Sequence, residues 1–157
     1  MRMLPFVVVT LGLAIAPAAA QEDLRGRAEA LAYRYLEGWS SGNPQALADV
    51  QALYGERVNF YGRTITRAAL FAEKRRFGRR WPIRDYRHRP GTMNVTCEPS
   101  TRACLVRSTI DWRAESPARH AVSRGSSTLE LGIGFAGPRP VVLFERGRVL
   151  RSRGGRL

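Results

Sequence analysis

Lys74 is the one lysine in a chain whose other 25 basic residues are arginine, and it puts a charge where the pattern is apolar. Projected at about 100° per residue, Leu70, Phe71, Phe77, Gly78 and Trp81 share one arc of a helix, and Lys74 falls in its middle. An ammonium there needs a partner or an exit. Its stem can pack on the aromatics while its head reaches solvent or a carboxylate such as Glu145 or Glu130. Asp111 has the right type for general-base work, yet it alternates with Ile110 and Trp112 and so shares a face with Arg107. On that phase it is a solvated partner for an arginine, and only a bulge would turn it inward.

Other residue types support less chemistry. His88 and His120 are the only histidines, and with Cys97 and Cys104 they form no recognised metal-ligand spacing. Ser126-Ser127 lacks the glycines of a nucleophile elbow, and Gly132-Ile133-Gly134 is followed by no helix that would make it a dinucleotide fingerprint. No cofactor motif is present. Arg75, Arg76, Arg79 and Arg80 fall outside the apolar arc and form a cationic patch suited to polyanions, although an arginine excess with a single lysine is also what base composition alone would give.

The elements that must position these residues begin after a leader. Met1-Arg2-Met3, an uncharged apolar run from Leu4 to Ala16 and Ala18-Ala19-Ala20 ahead of Gln21 predict a signal peptide, residues 1–20, cleaved between Ala20 and Gln21. Thirteen apolar residues fall short of the ~20 that span a bilayer, so the mature chain is not expected to be integral to a membrane. Cleavage leaves 25 basic against 13 acidic residues, a formal +12, in a periplasmic or secreted domain covering residues 21–157. In that location the accessible polyanions are anionic envelope surfaces, and no specific nucleic acid is expected. An oxidising compartment predicts a Cys97–Cys104 disulfide across the loop between two strands, the in-phase sets Met93, Val95, Cys97 and Cys104, Val106, Ile110, Trp112 being brought together by the hairpin.

From Glu22 to Trp39 the residues Leu24, Ala28, Leu31, Ala32, Tyr35, Leu36 and Trp39 recur at helical spacing. Asn43 as N-cap with Pro44 behind it predicts a second helix carrying Leu47, Val50 and Tyr54 on one stripe. Val58-Asn59-Phe60-Tyr61 alternates as a short strand ended by Gly62, and a third helix is capped by Thr66 and stopped by Pro82. Four long strands follow, approximately Arg84–Cys97, Cys104–Ala114, His120–Phe135 and Val141–Arg151, with a frayed basic tail. Three helices before a meander predict an α+β domain with helices on one face of a curved antiparallel sheet.

This order, with Val58-Asn59-Phe60-Tyr61-Gly62 after two helices and Glu145-Arg146-Gly147-Arg148-Val149 at the close, resembles the nuclear transport factor 2-like superfamily. The run Lys74-Arg75-Arg76-Phe77 to Arg80-Trp81-Pro82, followed by Tyr86, Cys97, Cys104 and Asp111-Trp112, is similar to an exported bacterial subgroup whose domain occurs alone or joined to caspase-like peptidase domains. The resemblance implies a cone holding a cavity, and a sheet face through which two copies can pair. It also implies that relatives of the ketosteroid isomerase and dehydratase kind work with an Asp or His base and Tyr or Asp donors. In such a cone Tyr35, Trp39, Lys74, Phe77 and Trp81 would line a pocket for a small apolar or anionic ligand, Lys74 meeting the anionic group. The expectation is therefore a non-enzymatic ligand-binding or accessory domain. The alternatives are an isomerase, dehydratase or hydrolase built on Tyr35, Lys74 and a reoriented Asp111, and a basic envelope-associated module.

Overall fold

The computed structural model describes residues 16–156; the leader reading on residues 1–15 lies outside the described residues. Helix α1 (Ala16–Ser40) starts earlier than its stripe requires, because the alanine-rich stretch at its start favours helix. Its seven stripe residues from Leu24 to Trp39 are all buried. Among the described residues no helix is long and apolar enough to cross a membrane.

Helix α2 (Asn43–Leu53) is capped by Gly42, which takes a φ of 101°, and not by Asn43. The Asn43 amide has tertiary partners instead, donating to the Gly78 carbonyl at 3.1 Å and accepting from Arg84 Nη1 at 2.7 Å. Tyr54, expected on the helix stripe, opens strand β1 (Tyr54–Phe60). The turn Tyr61-Gly62, with φ values of 51° and 81°, folds β1 onto β2 (Arg63–Thr66), a hairpin where the pattern showed a single strand. Thr66 caps helix α3 (Arg67–Arg80), its hydroxyl accepting from the Ala69 N–H at 3.2 Å.

The expected strand Arg84–Cys97 is two strands, β3 (Ile83–His88) and β4 (Asn94–Glu98), on one edge of β5 (Ala103–Ser116). His88 faces Ile110 and Asn94 faces Arg107, so Arg89 to Met93 loop out against only Ser108 and Thr109. Thr92 fills the gap, its hydroxyl accepting from the Thr109 N–H at 3.1 Å. After a tight turn at Pro117–Arg119, β6 (Ala121–Gly134) carries β7 (Val141–Arg146) and β8 (Val149–Arg156) on its other edge. The basic tail is therefore a paired strand and not a frayed end.

The sheet runs β2-β1-β7-β6-β5-β3, with β4 and β8 pairing β5 and β6. Because β1 and β7 are parallel, it is mixed and not wholly antiparallel. Alternation fixes which face of each strand is buried, but the partner of β1 is set by packing between distant segments. Three helices lie on the concave face of this curved, unclosed sheet, with the core between them around Leu31, Val50, Leu70, Val106 and Leu131.

Cys97 and Cys104 stand directly opposite one another on β4 and β5 and are disulfide-bonded. Closing a ring of about eight residues constrains the unfolded chain by about 2.5 kcal/mol, so Cys97→Ser with Cys104→Ser should lower the unfolding free energy by about that amount in urea titrations. His88 ties β3 to α1 and β5: Nε2–H donates to the Ala32 carbonyl at 3.1 Å and Nδ1 accepts from Ser108 Oγ at 2.9 Å. Burial pushes its pKa below the ordinary 6.5, so in acid the unfolded chain binds a proton that the folded chain refuses. Stability should be intact above about pH 6.5 and fall as pH drops through the folded value. Thermal unfolding of His88→Gln should show a shallower acid slope than the wild type; equal slopes would remove His88 from the account.

Candidate functional site

The site is made by an irregularity in β7. Gly132 faces Phe144 while Ile133 faces Val142, which leaves Leu143 as an extra residue. Strict alternation from Val142 would turn Phe144 inward and Glu145 outward. The bulge shifts the phase by one, so Glu145 is buried at 3% exposure while Arg146 faces out and bonds Glu130 at 3.0 Å.

Three more elements converge on that carboxylate. Lys74 from mid-α3 donates to Glu145 Oε1 at 2.7 Å and to the Tyr35 hydroxyl at 3.3 Å. Tyr35 from α1 donates to Oε1 at 3.0 Å, and Tyr54 from the start of β1 donates to Oε2. The Lys74 ammonium also lies 4.9 Å from the Trp39 ring centroid and 5.1 Å from that of Phe60, so aromatic faces share in its desolvation. Burial first, and the Glu145 charge second, push the Tyr35 and Tyr54 phenols well above their ordinary pKa of 10, which keeps both as neutral donors.

Above this floor opens a cavity of about 470 Å³. Its helical side is Tyr35, Leu36, Trp39, Phe77 and Trp81; its sheet side is Tyr86, Ile110, Trp112, Ala114, Ser123, Ser127 and Leu129. Gly125 leaves room for the Trp112 indole, since a Cβ there would sit 2.7 Å from that ring. The phenols of Tyr61 and Tyr86, both pushed up to about 12 chiefly by burial, and the hydroxyls of Ser123 and Ser127 belong to polar residues of an otherwise apolar wall.

Tyr35, Trp39, Lys74, Phe77 and Trp81 thus lie around one space. Asp111 does not. It is on the outer face of the sheet, held by Arg89 through bonds of 2.6 and 3.1 Å that lower its pKa, while Arg107 pairs with Glu130. Asp111 is therefore unavailable as a base for the cavity. Arg75, Arg76, Arg79 and Arg80 are exposed on α3, and Arg76 pairs with Glu73 at 2.7 Å. Among the described residues no three His, Cys, Asp or Glu side chains gather as metal ligands. Sequence reasoning missed Tyr54 as a member of the floor. It named Glu145 only as a possible lysine partner, the lone signal being an apolar arc that needed an anion.

Chemically, the floor is neutral as a whole. The ammonium offered to an anionic ligand is already matched by Glu145, whose two oxygens accept three hydrogen bonds. Lys74 has three N–H donors and uses two here, leaving one for an acceptor.

No family model matches the chain, and no curated protein matches it in sequence at a significant level. Solved structures do resemble it. A Novosphingobium aromaticivorans protein provisionally named a scytalone dehydratase superposes with a TM-score of 0.70 at 11% identity, over 87% of this chain and 90% of that one. A second protein from that organism, provisionally named an aromatic ring hydroxylase, gives 0.73 at 8% identity over 85% and 94%. A nuclear transport factor 2-like protein of unknown function from an Exiguobacterium species gives 0.54 at 11% identity over 76% and 97%. The fold is accordingly the nuclear transport factor 2-like cone.

Proposed function

We propose that the chain is an exported, non-enzymatic domain that holds one neutral, largely apolar small molecule in its cone. The observation that carries this reading is the aromatic-walled cavity closed below by a lysine whose charge its own glutamate cancels. An anionic group entering there would meet Glu145 as well as Lys74, whereas a carbonyl or hydroxyl can take the remaining lysine donor and the wall hydroxyls without disturbing the pair. Export rests on the leader pattern and the disulfide.

The neutral naphthyl ketone prodan is a suitable probe. It should bind with one-to-one stoichiometry, with a blue-shifted emission and little dependence on salt. Ser127→Phe, which fills the cavity from β6, should abolish the shift while leaving the fold intact by circular dichroism. Binding unchanged in that variant would place the probe elsewhere and sink the reading.

One observation favours a second reading, an isomerase or dehydratase: Glu145, Lys74 and Tyr35 all touch the space a substrate would occupy. Incubation of bound prodan in heavy water separates the two. No deuterium should enter the methylene beside its carbonyl; incorporation that disappears in Glu145→Gln would assign proton transfer to this site.

A further inference from the structure

The cavity opens beside an exposed apolar rim. Phe77 and Val149 both line it and are 41% and 60% exposed, and Leu150, next in the chain, is 48% exposed. Arginines stand among them. Arg80 ends α3, Arg148 precedes Val149, and the Arg119 guanidinium lies 5.3 Å from the centroid of Trp81, itself a cavity residue. All three are exposed, and among the described residues none is ion-paired.

Charge is distributed to match. Residues 22–56, which build α1, α2 and the start of β1, carry six carboxylates and three arginines. Residues 117–157, which build the strands beside the rim, carry eight arginines and two glutamates. Both glutamates are already paired, Glu130 with arginines and Glu145 with Lys74. On the reverse of the strands whose Ala114 and Ser123 wall the cavity, Arg113, Arg124 and Arg153 stand opposite one another across β5, β6 and β8. Arg113 in this row is bonded to Glu115 at 2.6 Å and the row faces away from the cavity, so it adds long-range positive potential to this half of the domain and makes no contact at the open end.

We infer that the open end of the cone docks on an anionic phospholipid bilayer, with Phe77, Val149 and Leu150 in the headgroup layer and Arg80, Arg119 and Arg148 on lipid phosphates. A cationic rim around exposed apolar side chains is the pattern of interfacial binding. Two of the three exposed apolar side chains are aliphatic and cannot stack on nucleic-acid bases, leaving Phe77 alone to do so, which disfavours a single-stranded nucleic acid on the same arginines. The docking surface stands on the rim's own charge and exposure. Its use as the entrance for a membrane-dissolved ligand rests on the cavity reading above.

The test is co-sedimentation with vesicles of phosphatidylcholine carrying a one-third share of phosphatidylglycerol. All variants are expressed with the leader and recovered after export, so that each carries the same N-terminus. The wild type should pellet at low salt, be released as salt rises, and ignore pure phosphatidylcholine. Joint replacement of Arg80, Arg119 and Arg148 by Gln should weaken partitioning by about a hundredfold. Leu150→Ser should weaken it further at a fixed salt concentration. Prodan binding in solution should survive in the arginine variant, which separates loss of docking from loss of the cavity. Unchanged sedimentation of that variant, equal binding to pure phosphatidylcholine, or retention on single-stranded DNA without vesicle binding would each overturn the proposal.

Discussion

Lys74→Met should lower the unfolding free energy by about 3–5 kcal/mol, because it leaves Glu145 charged, buried and held only by two neutral phenols. Methionine fills nearly the same volume, so the loss reports the charge and not a cavity. Adding Glu145→Gln should recover at least half, since glutamine still accepts from Tyr35 or Tyr54 and carries no charge to desolvate. The readout is a double-mutant cycle in urea, with coupling between the two positions of opposite sign to the single losses. A Lys74→Met loss below about 1 kcal/mol would mean that water reaches Glu145 freely, and the neutral, dry floor would have to be abandoned.

Arg84→Met should cost about 3 kcal/mol and loosen the helices together. From β3 this buried guanidinium donates through Nε to the Trp39 carbonyl at 3.0 Å and through Nη1 to the Trp81 carbonyl and to Asn43 Oδ1 at 2.7 Å. Trp39 and Trp81 lie at the C-terminal ends of α1 and α3, where unpaired carbonyls and the helix dipole favour a cation. Removal strands those carbonyls and frees the start of α2. Hydrogen exchange should therefore rise at the ends of α1 and α3 and the start of α2, and stay unchanged in the β5–β6 ladder. Protection lost uniformly would point to global destabilisation and not to a lost clasp.

Three features were legible in the sequence for local reasons. The α1 stripe, the Thr66 cap and the Cys97–Cys104 pair each depend on spacing within one or two neighbouring elements. Lys74 was legible as a problem, since a charge inside an apolar arc demands an anion somewhere, but not as a solution. The answer depended on Leu143, where one unpaired residue shifts the phase of β7. Alternation assumes an unbroken ladder and assigns Glu145 to solvent for that reason. A bulge that would turn Asp111 inward does not exist, since β5 is regular against β6 throughout. Asn43 shows the same limit at a helix end: its residue type signals a cap, yet Gly78 and Arg84, distant in the chain, take its side chain. The parallel partnership of β1 with β7 has no short-range signature at all.

The bulge at Leu143 also bears on how chains with this pocket are to be recognised. Because Val142 and Leu143 together occupy one step of the ladder, deleting Leu143 would straighten the strand while leaving Val142 and Glu145 on the same face. The floor is therefore compatible with either one or two positions between the buried aliphatic and the carboxylate. An alignment that penalises gaps inside strands would pair Glu145 with an outward residue in a chain of the shorter kind. Shared chemistry between the two would pass unseen, and a search that lets this one spacing vary would recover it.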